Sequence, residues 1–352
     1  MMQQNELRSS SRGRGKGIGE GRSVAIIGAG LSGLTCAREL AEGGVAVRVF
    51  EKARGPGGRM STRRAGDRRF DHGAQYFTVR DDRFKRAVDS WCRQGIVAPW
   101  TGRIAAIANG TGFRKASRVP RFVGVPGMNA VCRCLALGLD VSYETGIEIL
   151  NREGDGWALK DGGGVDLGRY DAVVVSAPAP QAGALFRTCS SDLAARAESV
   201  VMAPCWAVMM NFRETLNLGF DGAFVDNSAI SWVARNASKP DRPDHESWVI
   251  HASSEWSTAH LEMERDHAAE ALVREFHAAL GLKREEPDHL TAHRWRFALP
   301  LEPLSESFLL DANLRLAACG DWCGGPRVEG AYLSGLAAAD AILGRTRAAG
   351  GQ

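Results

Sequence analysis

The stretch SVAIIGAGLSG, Ser23 to Gly33, decides the fold. Ser23 to Ile27 is an apolar run of strand character, Gly28-Ala29-Gly30-Leu31-Ser32-Gly33 is a glycine-spaced turn, and Leu34 to Ala41 returns apolar residues at helical spacing. Strand, tight turn and helix follow one another. After a Gly43-Gly44 stop, the alternating run Val45 to Phe50 ends in Glu51, about twenty residues beyond the glycines, the spacing of a dinucleotide fingerprint. Each residue type has a separate reason to be there. Gly28 permits the turn, Gly30 lets a pyrophosphate approach backbone N–H groups at the helix N-terminus, Gly33 lets helix and strand pack closely, and Glu51 can accept hydrogen bonds from a ribose diol. Leu31 and Ser32 supply the first-turn N–H groups, and Lys52 follows the acid. Beyond it Arg54-Gly55-Pro56-Gly57-Gly58-Arg59-Met60 is a second glycine-rich loop, expected to bring Gly58, Met60 and the Arg59 guanidinium to the same crevice as a further phosphate ligand.

The rest of the composition narrows the function classes. In a chain of 352 residues, 44 Lys plus Arg against 41 Asp plus Glu leave a formal charge of +3, too small for the field of a nucleic-acid binder. Residues 1–21, rich in Gly, Arg, Ser and Gln, have no apolar signal core and read as a disordered lead-in. The apolar stretch Val200 to Met210 is broken by Pro204 and too short to span a membrane, so a cytoplasmic protein is expected. Eight cysteines at scattered positions match neither zinc spacing nor a disulfide framework, and no metal site is expected.

The succession GAGLSG, FEK and GGRMSTRR resembles the amine oxidase and protoporphyrinogen oxidase superfamily of flavoproteins. FDHGAQYFT, Phe70 to Thr78, resembles more narrowly the renalase-like bacterial NAD(P)/FAD-dependent oxidoreductases, as do SWVARNASKP (Ser231 to Pro240), WVIHASSEWS (Trp248 to Ser257), HRWRFALP (His293 to Pro300) and ACGDWCGG (Ala318 to Gly325). The resemblance runs from Ser23 nearly to the end. It implies an α/β fold: a Rossmann-type two-dinucleotide-binding FAD domain, discontinuous over residues 22–80, 115–179 and 314–347, with an inserted α+β substrate domain over 81–114 and 180–313. It also implies non-covalent FAD whose isoalloxazine ring runs along Gly73, Ala74 and Gln75. Ile147, Gly320, Asp321, Glu329, Gly330 and Ala331 are further FAD candidates: Asp321 for the ribityl chain, and the helix expected over Val328 to Leu343 for its positive end at the flavin pyrimidine edge. Val141 to Leu150 and Trp157 to Leu159 alternate as strands, and Asp171 to Ala177 reads as a buried strand.

The substrate side is rich in tryptophan. Trp232 with Asn236, His251 with Trp256, and Arg294 with Arg296 combine aromatic walls and polar anchors as small-molecule sites do. His251 and Gln75 are the catalytic candidates; alternation places His251 on the same strand face as Val249. For His72, Asp71 beside it suggests loop ordering instead. The resemblance implies a reaction: oxidation of 2-dihydro or 6-dihydro isomers of NAD(P)H to NAD(P)+, with Arg294 and Arg296 suited to the substrate phosphates and dioxygen as final acceptor, giving hydrogen peroxide. An amine or other small molecule is the alternative substrate. The same fold occurs in the non-catalytic GDP dissociation inhibitors, against which the complete set Gly28, Gly30, Gly33, Glu51 and Asp321 argues.

Overall fold

The computed structural model describes residues 22–108, 111–115 and 119–345; the tail expected over 1–21 lies outside them. Ser23–Ile27 becomes the central strand of a six-stranded sheet because its apolar residues are covered on both faces. It pairs in parallel with Ala46–Phe50 on one side and Ala172–Val175 on the other. Asp140–Ser142 and Leu316–Ala318 extend the sheet in parallel, and Leu309–Asp311 closes one edge antiparallel. The helix Leu31–Glu42 crosses the C-terminal helix Val328–Leu343 so closely that a Cβ on Gly335 would lie 2.1 Å from the Ser32 carbonyl oxygen.

A second, seven-stranded sheet runs in the order His289–Pro300, Met202–Phe212, Glu246–Ala252, Ile230–Arg235, Gly222–Asp226, Ile104–Ala108, Thr111–Lys115. One face carries Trp206, Val208, Met210, Trp248 and Ile250 and packs on the helix Arg265–Leu280. The other face turns toward the segment Phe70–Phe77. That orientation sets the candidate site.

Two expectations need correction. Val141 to Leu150 is not one strand: Asp140–Ser142 stays on the parallel sheet, and the antiparallel ladder Ile149–Glu153, Gly156–Lys160, Asp166–Tyr170 starts only after a loop with Glu144 at φ 55°. Glu144 N and Thr145 N donate to the Ala53 and Glu51 carbonyls, which turns that loop around the end of the second parallel strand. The segment 180–313 is also not one structural unit. The helices Ala179–Phe186 and Ser191–Glu198 and the strand Leu309–Asp311 bury Phe186, Leu193, Ala197 and Leu309 in the same core as Val173, Val175 and Leu316 of the parallel sheet. Thr111–Lys115, conversely, lies wholly in the seven-stranded sheet.

Candidate active site

The glycine turn has the form its spacing predicts. Gly28 sits at φ 109°, a backbone that L side chains rarely adopt, and a Cβ there would lie 2.5 Å from the Ser176 carbonyl oxygen. A Cβ on Gly33 would meet the Gly28 carbonyl at 2.2 Å, whereas one on Gly30 would meet nothing within 4 Å. Two glycines thus serve packing, and the third faces open space at the N-cap of the helix. No side chain caps that helix and no acid stands in its first turn, so the N–H groups around Leu31 and Ser32 face that space with the positive end of the dipole. Glu51 is buried and ties the turn together, its Oε2 accepting from Ala29 N and its Oε1 from Ala53 N, both at 2.8 Å. Gly57 N donates to the Ala29 carbonyl, which folds the second glycine loop, with Gly58 and the buried Met60, against the first. This cradle, open before Gly30, fits the pyrophosphate of a dinucleotide.

Arg59 lies at the crevice already paired: Nη1 and Nη2 donate to Asp321 at 2.8 and 2.6 Å, and Nη1 also donates to the Ala298 carbonyl. The guanidinium expected to hold phosphate and the carboxylate expected to hold a ribityl hydroxyl are thus partners of each other. Gly320 N donates to Ser334 Oγ, and a Cβ on Gly330 would strike the Gly325 carbonyl at 2.2 Å, so both residues close the loop onto the C-terminal helix near Ala331. Glu329 is buried and accepts from Arg80 N and Asp81 N, Ile147 is buried in the same core as Phe50, and the exposed Lys52 reaches Gln181 at 3.4 Å.

Gly73 approaches the second glycine loop so closely that a Cβ would sit 2.0 Å from the Arg59 carbonyl, which accepts from Ala74 N at 2.8 Å. The segment Asp71–Phe77 is thereby pinned between the two sheets. Across it, five strands present one in-register row: His293, Ala207, His251, Trp232 and Phe224. Paired residues of an antiparallel sheet share a face, and Trp295, two residues from His293, shares it too. His72 packs between them, edge-on to His293 at 5.0 Å and stacked on Trp295 at 5.1 Å between centroids. The His72 carbonyl accepts from Trp295 Nε1 at 2.9 Å and lies 3.2 Å from His251 Nε2. Gln75 Nε2 donates to the Asp71 and Gly73 carbonyls, and lies 3.5 Å from the His251 ring. Tyr76, Trp100 and Trp232 continue the aromatic wall at 5.6–6.4 Å.

These imidazoles are kept neutral. Burial pushes His72 down to about 3, helped by His293 and Arg63, and pushes His251 and His293 down to about 4. Desolvation disfavours the charged ring, and neighbouring cations add to it: Arg63 for His72, Arg63 and Arg265 for His293, and Lys239 for His251.

The structure places His251 beside Trp232 in the sheet and 3.5 Å from Gln75 Nε2, on the Val249 face; the pairs drawn from the sequence are Trp232 with Asn236, His251 with Trp256 and Arg294 with Arg296. The other members of those pairs lie elsewhere. Arg294 and Arg296 alternate onto the opposite face, where both bind Glu262 and Arg294 lies over Trp206 at 5.6 Å. Trp256 stacks on His260 at 4.3 Å on that same far side. Asn236 is buried below the site, donating to the Arg69 carbonyl and accepting from Asp71 N. The grouping of His251 with Trp256, Arg294 and Arg296 is therefore corrected: a twisted sheet has two faces, and these residues occupy the other one. His293, Trp295, Lys239 and Arg242 were not singled out; period-two alternation in HRWRF would have separated His293 and Trp295 from the arginines.

Comparison with known proteins agrees with this geometry. Residues 26–91 match the model of an NAD(P)-binding Rossmann-like domain, and residues 102–343, more than half the chain, match that of the flavin containing amine oxidoreductases. A zeta-carotene-forming phytoene desaturase of Myxococcus xanthus is 50% identical over 42 residues, a match spanning 12% of this chain and 8% of that enzyme. Among solved structures, a candidate protoporphyrinogen oxidase from Exiguobacterium sp. 255-15 superposes with TM-score 0.74 at 12% identity, covering 92% of this chain and 99% of that one. Cyclohexylamine oxidase from Brevibacterium oxydans IH-35A gives 0.70 at 12% identity over 92% and 98%, and putrescine oxidase with bound putrescine gives 0.69 at 15% over 92% and 99%. At these identities the structures speak for the fold. Among the described residues no helix is long and apolar enough to cross a membrane, and no cluster of His, Cys, Asp or Glu could hold a metal.

Proposed function

Because the chain belongs to the flavin containing amine oxidoreductase family, whose members carry a flavin, we propose that it binds FAD non-covalently and oxidises a hydride donor of the dihydronicotinamide dinucleotide class, 2-dihydro- or 6-dihydro-NAD(P), whose reacting ring is flat and uncharged. The pyrophosphate would lie before Gly30, the adenosine ribose against Glu51, and the ring along Gly73–Ala74, with its pyrimidine edge toward the start of the C-terminal helix. When bound, the flavin supplies the two-electron acceptor, and dioxygen takes the electrons onward as hydrogen peroxide.

One observation carries the choice of substrate class. The row His293, Ala207, His251, Trp232, Phe224 and its neighbour Trp295 contain no carboxylate, and its two imidazoles, like that of His72 beside it, are neutral at pH 7. A primary amine enters as an ammonium ion and would find no counter-charge on this wall. A dihydropyridine needs none. Trp295 and Trp232 would confine its plane. Closing this wall over the ring excludes water and holds the donor near attack distance, which is what the protein must contribute.

The test is anaerobic mixing of the holoprotein with 2-dihydro- and 6-dihydro-NAD(P), ordinary NADH, putrescine and cyclohexylamine, following loss of the visible flavin absorbance. Rapid bleaching by the dihydro isomers alone is expected. Bleaching by an amine alone, or by nothing in the panel, would sink the substrate reading and leave the flavoprotein intact.

A further inference from the structure

Lys239 and Arg242 come from the loop between Ile230–Arg235 and Glu246–Ala252, yet both fold under the Asp71–Gln75 segment, with exposures of only 2% and 8%. Asp71, wholly buried, meets both cations: its Oδ2 lies 3.2 Å from Lys239 Nζ and 2.8 Å from Arg242 Nη2. Its Oδ1 accepts from Thr62 Oγ1 at 2.7 Å and from Met128 N at 3.0 Å. Lys239 and Arg242 hold this carboxyl well below the usual carboxylate range, against the opposing effect of burial. Among the described residues, no second carboxylate stands within ion-pair distance of either cation. Two buried cations therefore share one carboxylate, and one positive charge is left over.

That charge persists at neutral pH. Burial pushes Lys239 down to about 8, with Asp71 working against the shift. Its three acceptors, Asp71 Oδ2, Gln75 Oε1 and Asn236 Oδ1, lie at 3.2, 3.2 and 3.3 Å, a set that matches the three donors of an ammonium group. Trp100 covers its remaining side with the ring centroid 5.7 Å away. An uncompensated buried charge is costly to a fold. It becomes useful where a bound group acquires negative charge.

We propose that Lys239 and Arg242 keep a surplus positive charge beneath Gly73–Ala74, and that this charge favours the reduced state of a flavin ring lying along that segment. The inference rests on the FAD reading and on its placement of the ring. Uptake of two electrons and one proton leaves the ring with one net negative charge, and a fixed cation close by in a water-poor interior favours that form without reorganising. Lys239 is then a positioning residue for Gln75 and an electrostatic one for the cofactor. It need not touch the substrate.

The test is the two-electron midpoint potential of the holoprotein, measured anaerobically against a redox dye, for wild type, K239Q, K239R and R242Q. K239Q leaves Arg242 and Asp71 as a balanced pair, and its amide can still donate to Asp71. It should shift the equilibrium at least tenfold toward the oxidised form, a fall of about 30 mV for a two-electron couple, while K239R stays within twofold of wild type. A purely structural lysine would lower the melting temperature of K239Q without moving the potential. Should K239Q fail to fold, R242Q also leaves one cation against one carboxylate and should lower the potential. A flavin-bearing K239Q or R242Q within twofold of wild type would overturn this inference alone. Wild-type protein that takes up no flavin would overturn the FAD reading, and the inference with it.

Discussion

Lowering the pH from 6.5 to 5 should destabilise this protein through three histidines that lie on or against one sheet face. His72 is pushed down to about 3 and His251 and His293 to about 4, against an ordinary value of 6.5. A depressed imidazole pKa means that the unfolded chain takes up protons which the folded chain refuses. The stabilisation is thus complete above pH 6.5 and is lost as pH falls toward the folded values. For one ring with a folded pKa of about 4, linkage gives a loss of about 1.5 kcal/mol between pH 6.5 and 5, and about 5 kcal/mol for three. That is a large share of an ordinary domain's stability, about 5–15 kcal/mol. Asp71 does not contribute in this window, because its depressed pKa matters only below about pH 4. Urea unfolding of the holoprotein at pH 6.5, 5.8 and 5.0, with flavin in constant excess, reads the loss directly, and H293N should reduce its slope by about a third. A loss under about 1 kcal/mol in wild type, or three imidazole NMR signals titrating near 6.5, would show that these rings are not desolvated as their packing requires.

Other substitutions probe the remaining parts of the site. G335A places a methyl group 2.1 Å from the Ser32 carbonyl at the crossing of two helices, where neither backbone can yield cheaply; a loss of about 3 kcal/mol or more is expected, read as a drop in melting temperature of the apoprotein. E51A leaves the buried Ala29 N–H without its acceptor, costing about 1–3 kcal/mol, and should weaken flavin binding at least tenfold in equilibrium dialysis; unchanged affinity would remove Glu51 from the ribose site. W295F keeps the stack on His72 but deletes the Nε1–H donated to its carbonyl, so a stability loss of about 1 kcal/mol with a raised KM for the oxidised substrate is expected, and an unaltered KM would place the substrate elsewhere.

The dinucleotide end of the site was legible in the sequence because its parts are local. Gly28, Gly30, Gly33 and Glu51 lie within two dozen residues, and each answers a backbone requirement that spacing alone expresses. The second glycine loop was legible for the same reason, although the bond that closes it, Gly57 N to the Ala29 carbonyl, was not. On the wall facing Asp71–Phe77, neighbours in sequence proved to be neighbours across a sheet. HRWRF alternates, so that His293 and Trp295 face the site while Arg294 and Arg296 bind Glu262 behind it. Alternation reveals two faces without saying which one meets the ligand, since that depends on what packs against each.

The strand–turn–helix unit, the acid that follows it and the small-residue C-terminal helix are readable from the chain alone, because turn geometry and helix periodicity are settled within one or two elements. The remaining contacts join residues far apart in the chain. Asp71 meets Lys239 and Arg242 across separations of 168 and 171 residues, and Arg59 meets Asp321 across 262. These charges, far apart in the chain, become a buried network when the inserted sheet folds over the glycine-rich loops, since packing removes the water that would otherwise screen them.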